Sequence, residues 1–138
     1  KTSERLNINS FSCTNAPAQY GALAALEGSQ ECVKNMVLKF SRRRKMIFEE
    51  LNKLDGFECN MSKGAFYSMP SIKKTGLKSD QIEDILLNRL GITTVSGKSF
   101  GSFGENYLRL SYANSEENIQ EAIDRIKKFS YNIGWNNA

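Results

Sequence analysis

An arginine, Arg109, stands between two leucines in the stretch Tyr107-Leu108-Arg109-Leu110-Ser111-Tyr112. Strand alternation puts Leu108, Leu110 and Tyr112 on one face and Tyr107, Arg109 and Ser111 on the other. An arginine so placed has two readings. It lies on a solvated sheet face, or it points into a cleft. In a cleft its planar fork suits a carboxylate.

Three other patterns resemble chemistry and have simpler explanations. Gly97-Lys98-Ser99 mimics the end of a phosphate-binding loop. That loop needs a glycine at position 92, which is Ile92, and a helix after it, where a strand is expected. Ser71-Ile-Lys-Lys74 matches Ser-x-x-Lys, but no companion motif follows, and a solvated loop accounts for it. Arg42-Arg43-Arg44-Lys45 is basic, but successive residues spread around a helix at about 100° steps and form no single patch. Glu49 and Glu50 follow at spacings for helical ion pairs, and the Arg44 stem is placed to lie over the core.

The composition removes whole classes of chemistry. None of the 138 residues is histidine, so Ser-His-Asp and Cys-His systems cannot be built within the chain. Zinc sites that use histidine go with them. Cys13, Cys32 and Cys59 are widely spaced and form no Cys-x-x-Cys motif, and they read as free thiols in a reducing, cytoplasmic setting. The net charge of +4 is too mild to imply a nucleic-acid partner, and no run is apolar enough to span a membrane.

The elements that must position Arg109 follow from periodicity. Residues 1–14 are polar and read as loop. Pro17 opens a helix through Leu26, and Gly28 stops it. A long helix is expected from Ser29 to Leu54, with Val33, Met36, Val37, Phe40, Ile47, Leu51 and Leu54 on one face and Gly56 as its C-cap. At about 25 residues it would run about 37 Å, a length typical of a connector between two bodies. Phe57–Asn60 and Ala65–Met69 are expected as strands joined by a turn at Ser62-Lys63-Gly64. Ser79 is expected to cap a helix that buries Ile82, Ile85, Leu86 and Leu90 and ends at Gly91. Ile92–Val95 and Asn106–Ala113 read as strands, with a glycine-rich loop from Ser96 to Gly104 between them. Asn114 and Glu117 suggest a capping box for a helix with Ile119, Ala122, Ile123 and Ile126 inward. The tail, Tyr131–Ala138, is mainly polar and carries Trp135. The whole predicts an α+β fold, a small and mainly antiparallel sheet with helices packed on one face, preceded by the long connecting helix.

Four segments, in order, resemble the C-terminal part of class I/II aminotransferases, pyridoxal-phosphate enzymes of fold type I. They are Ala18-Gln19-Tyr-Gly-Ala-Leu-Ala-Ala-Leu26, Lys63-Gly-Ala-Phe-Tyr67 with Pro70, Gly91-Ile-Thr-Thr-Val-Ser-Gly97 with Phe100-Gly101, and Gly104 to Ile126. The resemblance runs from about Asn9 to Phe129. It implies that residues 1–28 are a remnant of a large cofactor-binding domain, 29–55 the interdomain helix and 56–138 the C-terminal small domain. It also implies that Arg109 binds the substrate α-carboxylate, that Phe66 lines the site, and that Ser10–Asn15 approaches a partner subunit's site in a homodimer.

The same resemblance puts the Schiff-base lysine and the other residues that hold pyridoxal 5'-phosphate upstream of everything matched here. Ser62 and Ser96 stand where relatives often have proline, so those two loops are expected to be more mobile. The chain opens on Lys1, not on Met, and reads as a fragment. Its expected function is the C-terminal part of an enzyme that moves an amino group from an amino acid to a 2-oxo acid. Alone it should be inactive and bind no cofactor. The expected partners are those two substrates, the large domain of the same polypeptide and a second subunit, with neither nucleic acid nor membrane. The alternatives are another fold-type I enzyme, such as a lyase or synthase, a stand-alone carboxylate-binding module, or a basic interaction module built on Arg42–Lys45.

Overall fold

The computed structural model describes residues 1–11, 13–132, 134 and 135. The expectation for Ser10–Asn15 includes Ser12, and that for the tail includes residues 133 and 136–138; these positions lie outside the described residues. The chain divides into two compact units, Lys1–Met36 and Val37–Ala138, with the boundary inside a helix.

The first unit holds α1 (Thr2–Phe11), α2 (Ala16–Glu27) and the start of α3 (Glu31–Leu51). The loop expected over residues 1–14 is corrected by α1. Its asparagines and serines stay exposed, so their side chains are solvated and do not compete with the helical ladder. Asn15 caps α2, its Oδ1 accepting from the Ala18 N–H at 2.8 Å, with Pro17 in the first turn. No residue of α2 is buried.

The second unit contains the core. The apolar stripe of α3 changes character along its length: Val33, Met36 and Val37 are exposed, whereas Ile47 and Leu51 are buried. The helix is shorter than the expected Ser29–Leu54 and ends at Leu51. Two further turns, Lys53 N–H to Glu50 C=O and Leu54 N–H to Leu51 C=O, carry the chain to a buried Leu54. Gly56 therefore lies beyond the helix and is not its immediate cap.

Three short strands, β1 (Tyr67–Ser68), β2 (Val95–Ser96) and β3 (Leu108–Ser111), form an antiparallel sheet in the order β1-β3-β2. The register pairs Tyr67 with Ser111, Ser68 with Leu110, Val95 with Arg109, and Ser96 with Leu108. Leu108, Leu110 and Tyr112 are buried, and they share one apolar cluster with Ile82, Ile85 and Leu86 of α4 (Ser79–Leu90) and Ile119, Ile123, Ile126 and Phe129 of α5 (Glu116–Asn132). This is the expected α+β arrangement. Burying those side chains is the main favourable term holding the sheet to its helices.

Local chemistry sets the ends. Gly91 sits at φ +66° and its N–H returns to α4, while Ile92 N–H bonds Leu86 C=O at 2.8 Å; together they close the helix with a left-handed residue that glycine adopts freely. Ser115, not Asn114, caps α5, its Oγ accepting from the Asn118 N–H at 3.1 Å. The Phe57–Asn60 strand is reduced to one bridge, Glu58 with Ser71. The Asn52 side chain occupies the place of a strand neighbour there. It accepts from Cys59 N–H and donates to Cys59 C=O, both at 2.9 Å. A side-chain amide satisfies the backbone that a hairpin would otherwise have paired. Trp135 of the tail is buried between Phe57 and Phe129 and donates Nε1–H to Asp55 C=O at 3.1 Å.

Candidate functional site

The sheet register places Arg109 on the face away from the core, diagonal to Tyr67 across β3 and β1. Its guanidinium carbon lies 4.5 Å from the Tyr67 ring centroid and 4.8 Å from that of Phe100. Both are within cation–π range. Arg109 is half-buried, on the sheet face opposite the core. It enters none of the salt bridges among the described residues. A guanidinium that contacts rings and no carboxylate has N–H groups to offer a planar acceptor.

Phe66 is joined to this group through Tyr67, their ring centroids being 4.4 Å apart. It also lies 6.2 Å from Phe40 of α3. Phe66 is 41% exposed and Phe100 53% exposed, so the aromatic row borders solvent. Tyr112 anchors the strand from beneath, its hydroxyl donating to Ala65 C=O at 2.8 Å.

The loop that brings Phe100 to Arg109 is two short 3-10 turns, Gly97–Phe100 and Ser102–Gly104. Its close approach requires glycine: a Cβ on Gly97 would meet Gly104 O at 2.1 Å, and one on Gly104 would meet Gly97 O at 2.0 Å. A chain of hydrogen bonds ties the loop to α4. Ser96 Oγ–H donates to Ser79 Oγ at 2.8 Å, and Ser79 donates to Glu105 Oε1 from its hydroxyl at 2.8 Å and its N–H at 3.0 Å. Lys98 pairs with Asp80 at 3.2 Å. Ser79 is thus the first residue of α4 and not its cap; the carboxylate of Glu105, distant in sequence, serves the orphan N–H of that terminus.

These contacts move two acids below their usual range. Glu105 is lowered chiefly by the hydrogen bonds from Ser79, and Asp80 chiefly by its bond from Lys98. A carboxyl whose folded pKa is depressed adds stability above its unfolded value and loses it as pH falls through the folded one. Wild-type protein is therefore expected to lose its advantage over Glu105→Gln as the pH drops below about 4.3, the ordinary glutamate value. Urea midpoints of the two proteins against pH read this directly; a constant difference down the whole acid limb would contradict it.

The remaining sequence patterns resolve into structure. The N–H groups of Gly97, Gly101 and Gly104 are taken by Tyr107, Lys98 and Gly101 carbonyls, so none of the three glycines has its N–H free for a phosphate. Ser71 Oγ accepts from Lys73 N–H, and Lys74 pairs with Glu58. The basic run disperses: Arg43 lies over Phe40, Arg44 donates to Ser62 C=O, and Lys45 pairs with Glu49. All three thiols are free; burial pushes that of Cys59 up, away from nucleophilic use. Among the described residues no His, Cys, Asp and Glu group could hold a metal, and no helix is long and apolar enough to cross a membrane.

The family model for aminotransferase class I and II matches residues 4–126. The chain belongs to this family. Among its relatives are the protein YugH of Bacillus subtilis, whose name places it with the aminotransferases, 43% identical over 117 residues, and an aspartate aminotransferase of Pyrococcus abyssi, 40% identical over 126. These alignments cover 85% and 90% of this chain but 30% and 32% of the relatives. The crystal structure of an aromatic aminotransferase from Pyrococcus horikoshii is similar with a TM-score of 0.85 at 32% identity, over 92% of this chain and 34% of that one. The chain thus spans about a third of the aminotransferases it matches.

Pyridoxal phosphate is the cofactor this family implies. The residues described do not form a seat for it. The groups packed on Arg109 are two aromatic rings, the three loop glycines have their N–H groups bonded within the loop and to Tyr107, and Lys98 pairs with Asp80. Sequence reasoning singled out Arg109 and Phe66 as candidates. It missed Tyr67 and Phe100 as partners of the guanidinium, and Glu105 as the brace behind them. The signal for Tyr67 exists only once the strand register is known. Those for Phe100 and Glu105 lie in how the loop folds back.

Proposed function

We propose that this chain is the C-terminal part of a pyridoxal-phosphate-dependent aminotransferase and that Arg109 receives the α-carboxylate of its amino-acid and 2-oxo-acid substrates. The supporting observation is a guanidinium within cation–π range of both Tyr67 and Phe100, with no salt-bridge partner among the described residues. Such an arrangement accepts a carboxylate in two parallel hydrogen bonds, fixing the substrate's orientation as well as its affinity.

In this reading residues 1–28 complete a large domain, 29–55 connect it, and 56–138 form the small domain. Phe66 lines the site. The large domain of the same polypeptide and a second copy of it are the protein partners. Pyridoxal phosphate, held by the large domain, supplies the electron sink that transamination needs. The contribution of this chain is to bind the carboxylate, orient Cα and exclude water when the small domain closes. By itself it is catalytically incomplete.

Expressing the full-length polypeptide and assaying all amino acids as donors, with pyruvate or 2-oxoglutarate as acceptor, tests this. Amino transfer by the full-length protein, and none by residues 1–138, is the expected result. Turnover of amino acids that needs no 2-oxo acid would overturn it in favour of a lyase, as would transfer catalysed by residues 1–138 alone.

A further inference from the structure

We propose that Phe100 is a positioning residue for Arg109, and that the glycine loop carrying it, braced on α4 by the Ser96–Ser79–Glu105 hydrogen bonds and the Lys98–Asp80 pair, sets how tightly the guanidinium binds a carboxylate. The proposal rests on the reading of Arg109 as the carboxylate receptor and assigns a reason for its affinity.

The geometry carries it in three steps. A free arginine side chain has rotamer entropy to lose on binding. Tyr67, at 4.5 Å, comes from the sheet itself. Phe100, at 4.8 Å, is the only other ring within cation–π range of it among the described residues, and it comes from a loop. Two rings from two different elements restrict where the guanidinium can go. With Phe100 gone, one of these contacts is replaced by water and the side chain is freer to turn.

The loop is built to hold that ring. Phe100 is 53% exposed, so its own burial does not anchor it. The anchors lie on either side. Gly97 N–H bonds Tyr107 C=O at 2.8 Å, and the two glycines at the loop's ends, Gly97 and Gly104, leave no room for a Cβ. Ser96 and Glu105, immediately outside those glycines, both bond Ser79 at the start of α4. Lys98, two residues before Phe100, reaches Asp80 of the same helix turn. Three side chains, Ser96, Lys98 and Glu105, thus converge on one helix end, and their common effect is to fix the loop from which the ring projects. Pre-organisation of this kind acts on affinity without adding a contact to the ligand.

The test uses the full-length protein and the variants Phe100→Leu, Phe100→Tyr, Arg109→Gln and Phe100→Leu with Arg109→Gln. The readouts are the dissociation constant for pyruvate by calorimetry and the KM and kcat for the best amino-acid donor. Phe100→Leu is expected to weaken pyruvate and raise KM about tenfold, with kcat within twofold; this corresponds to one cation–π contact at a partly desolvated site. Phe100→Tyr, which keeps the ring, should restore both. In the Arg109→Gln background Phe100→Leu should change nothing further.

An unchanged pyruvate constant in Phe100→Leu overturns the proposal. So does an equal loss on the Arg109→Gln background, which would mean that Phe100 touches the ligand by a route independent of Arg109. If Arg109→Gln itself leaves pyruvate binding unchanged, the carboxylate reading falls first, and that outcome is distinct from the other two.

Discussion

Replacing Arg109 with glutamine is expected to lower kcat/KM for the amino-acid donor by about 100- to 1,000-fold, a loss of about 3–4 kcal/mol. The magnitude follows from removing a charged, two-pronged partner and leaving a carboxylate facing an aromatic niche. Arg109→Lys restores the charge but not the fork, so it should recover only part of the loss. Thermal stability should barely move, because Arg109 takes part in none of the salt bridges among the described residues. Steady-state kinetics of the three full-length proteins, with melting curves beside them, check both halves. A large fall in melting temperature for Arg109→Gln would reassign this residue to structure.

The second large effect is expected at Gly97. Its φ is not the constraint; space is. An alanine Cβ would meet Gly104 O at 2.1 Å, Tyr107 O at 2.7 Å and Tyr107 Cβ at 3.0 Å. Two of these are backbone atoms, and the Tyr107 carbonyl is also the acceptor of the Gly97 N–H. The loop can relieve the clash only by leaving that bond. Overpacking plus one lost hydrogen bond comes to about 2–4 kcal/mol of stability. Because the same loop carries Phe100, Gly97→Ala should also raise KM, whereas the exposed Gly64, with open space around its Cβ position, should accept alanine silently. Urea unfolding of Gly97→Ala beside Gly64→Ala measures the difference; equal midpoints would show that the close approach is unimportant.

Much of the fold was legible because its helices carry a clear period. Ile82, Ile85 and Leu86 repeat at helical spacing and are buried, as are Ile119, Ile123 and Ile126. The alternation around Arg109 was equally plain, and β3 buries Leu108 and Leu110 as it requires. What failed was what depends on partners distant in sequence. The Phe57–Asn60 strand was expected from composition, but Asn52 supplies the hydrogen bonds that would have paired it. The cap of α4 was assigned to Ser79, the nearest hydroxyl, whereas Glu105 supplies it. Residues 1–14 were expected as loop because polar residues crowd them, and α1 forms with residues 2–10 all exposed.

The site divides along the same line. Arg109 could be singled out from one strand, since two leucines beside it fix its face. Tyr67 and Phe100 could not, because their relation to Arg109 is set by strand order and by a loop that turns back on itself. Stacking leaves no sequence spacing to read.

Comparing the binding of pyruvate and pyruvamide by the full-length protein and its Arg109→Gln variant is the most direct test of the account. The two ligands differ only in the group proposed to meet the guanidinium. The account predicts that the wild type prefers pyruvate and that Arg109→Gln loses about 100-fold for pyruvate while pyruvamide is unaffected. An equal loss for both ligands, or no loss for pyruvate, would contradict it.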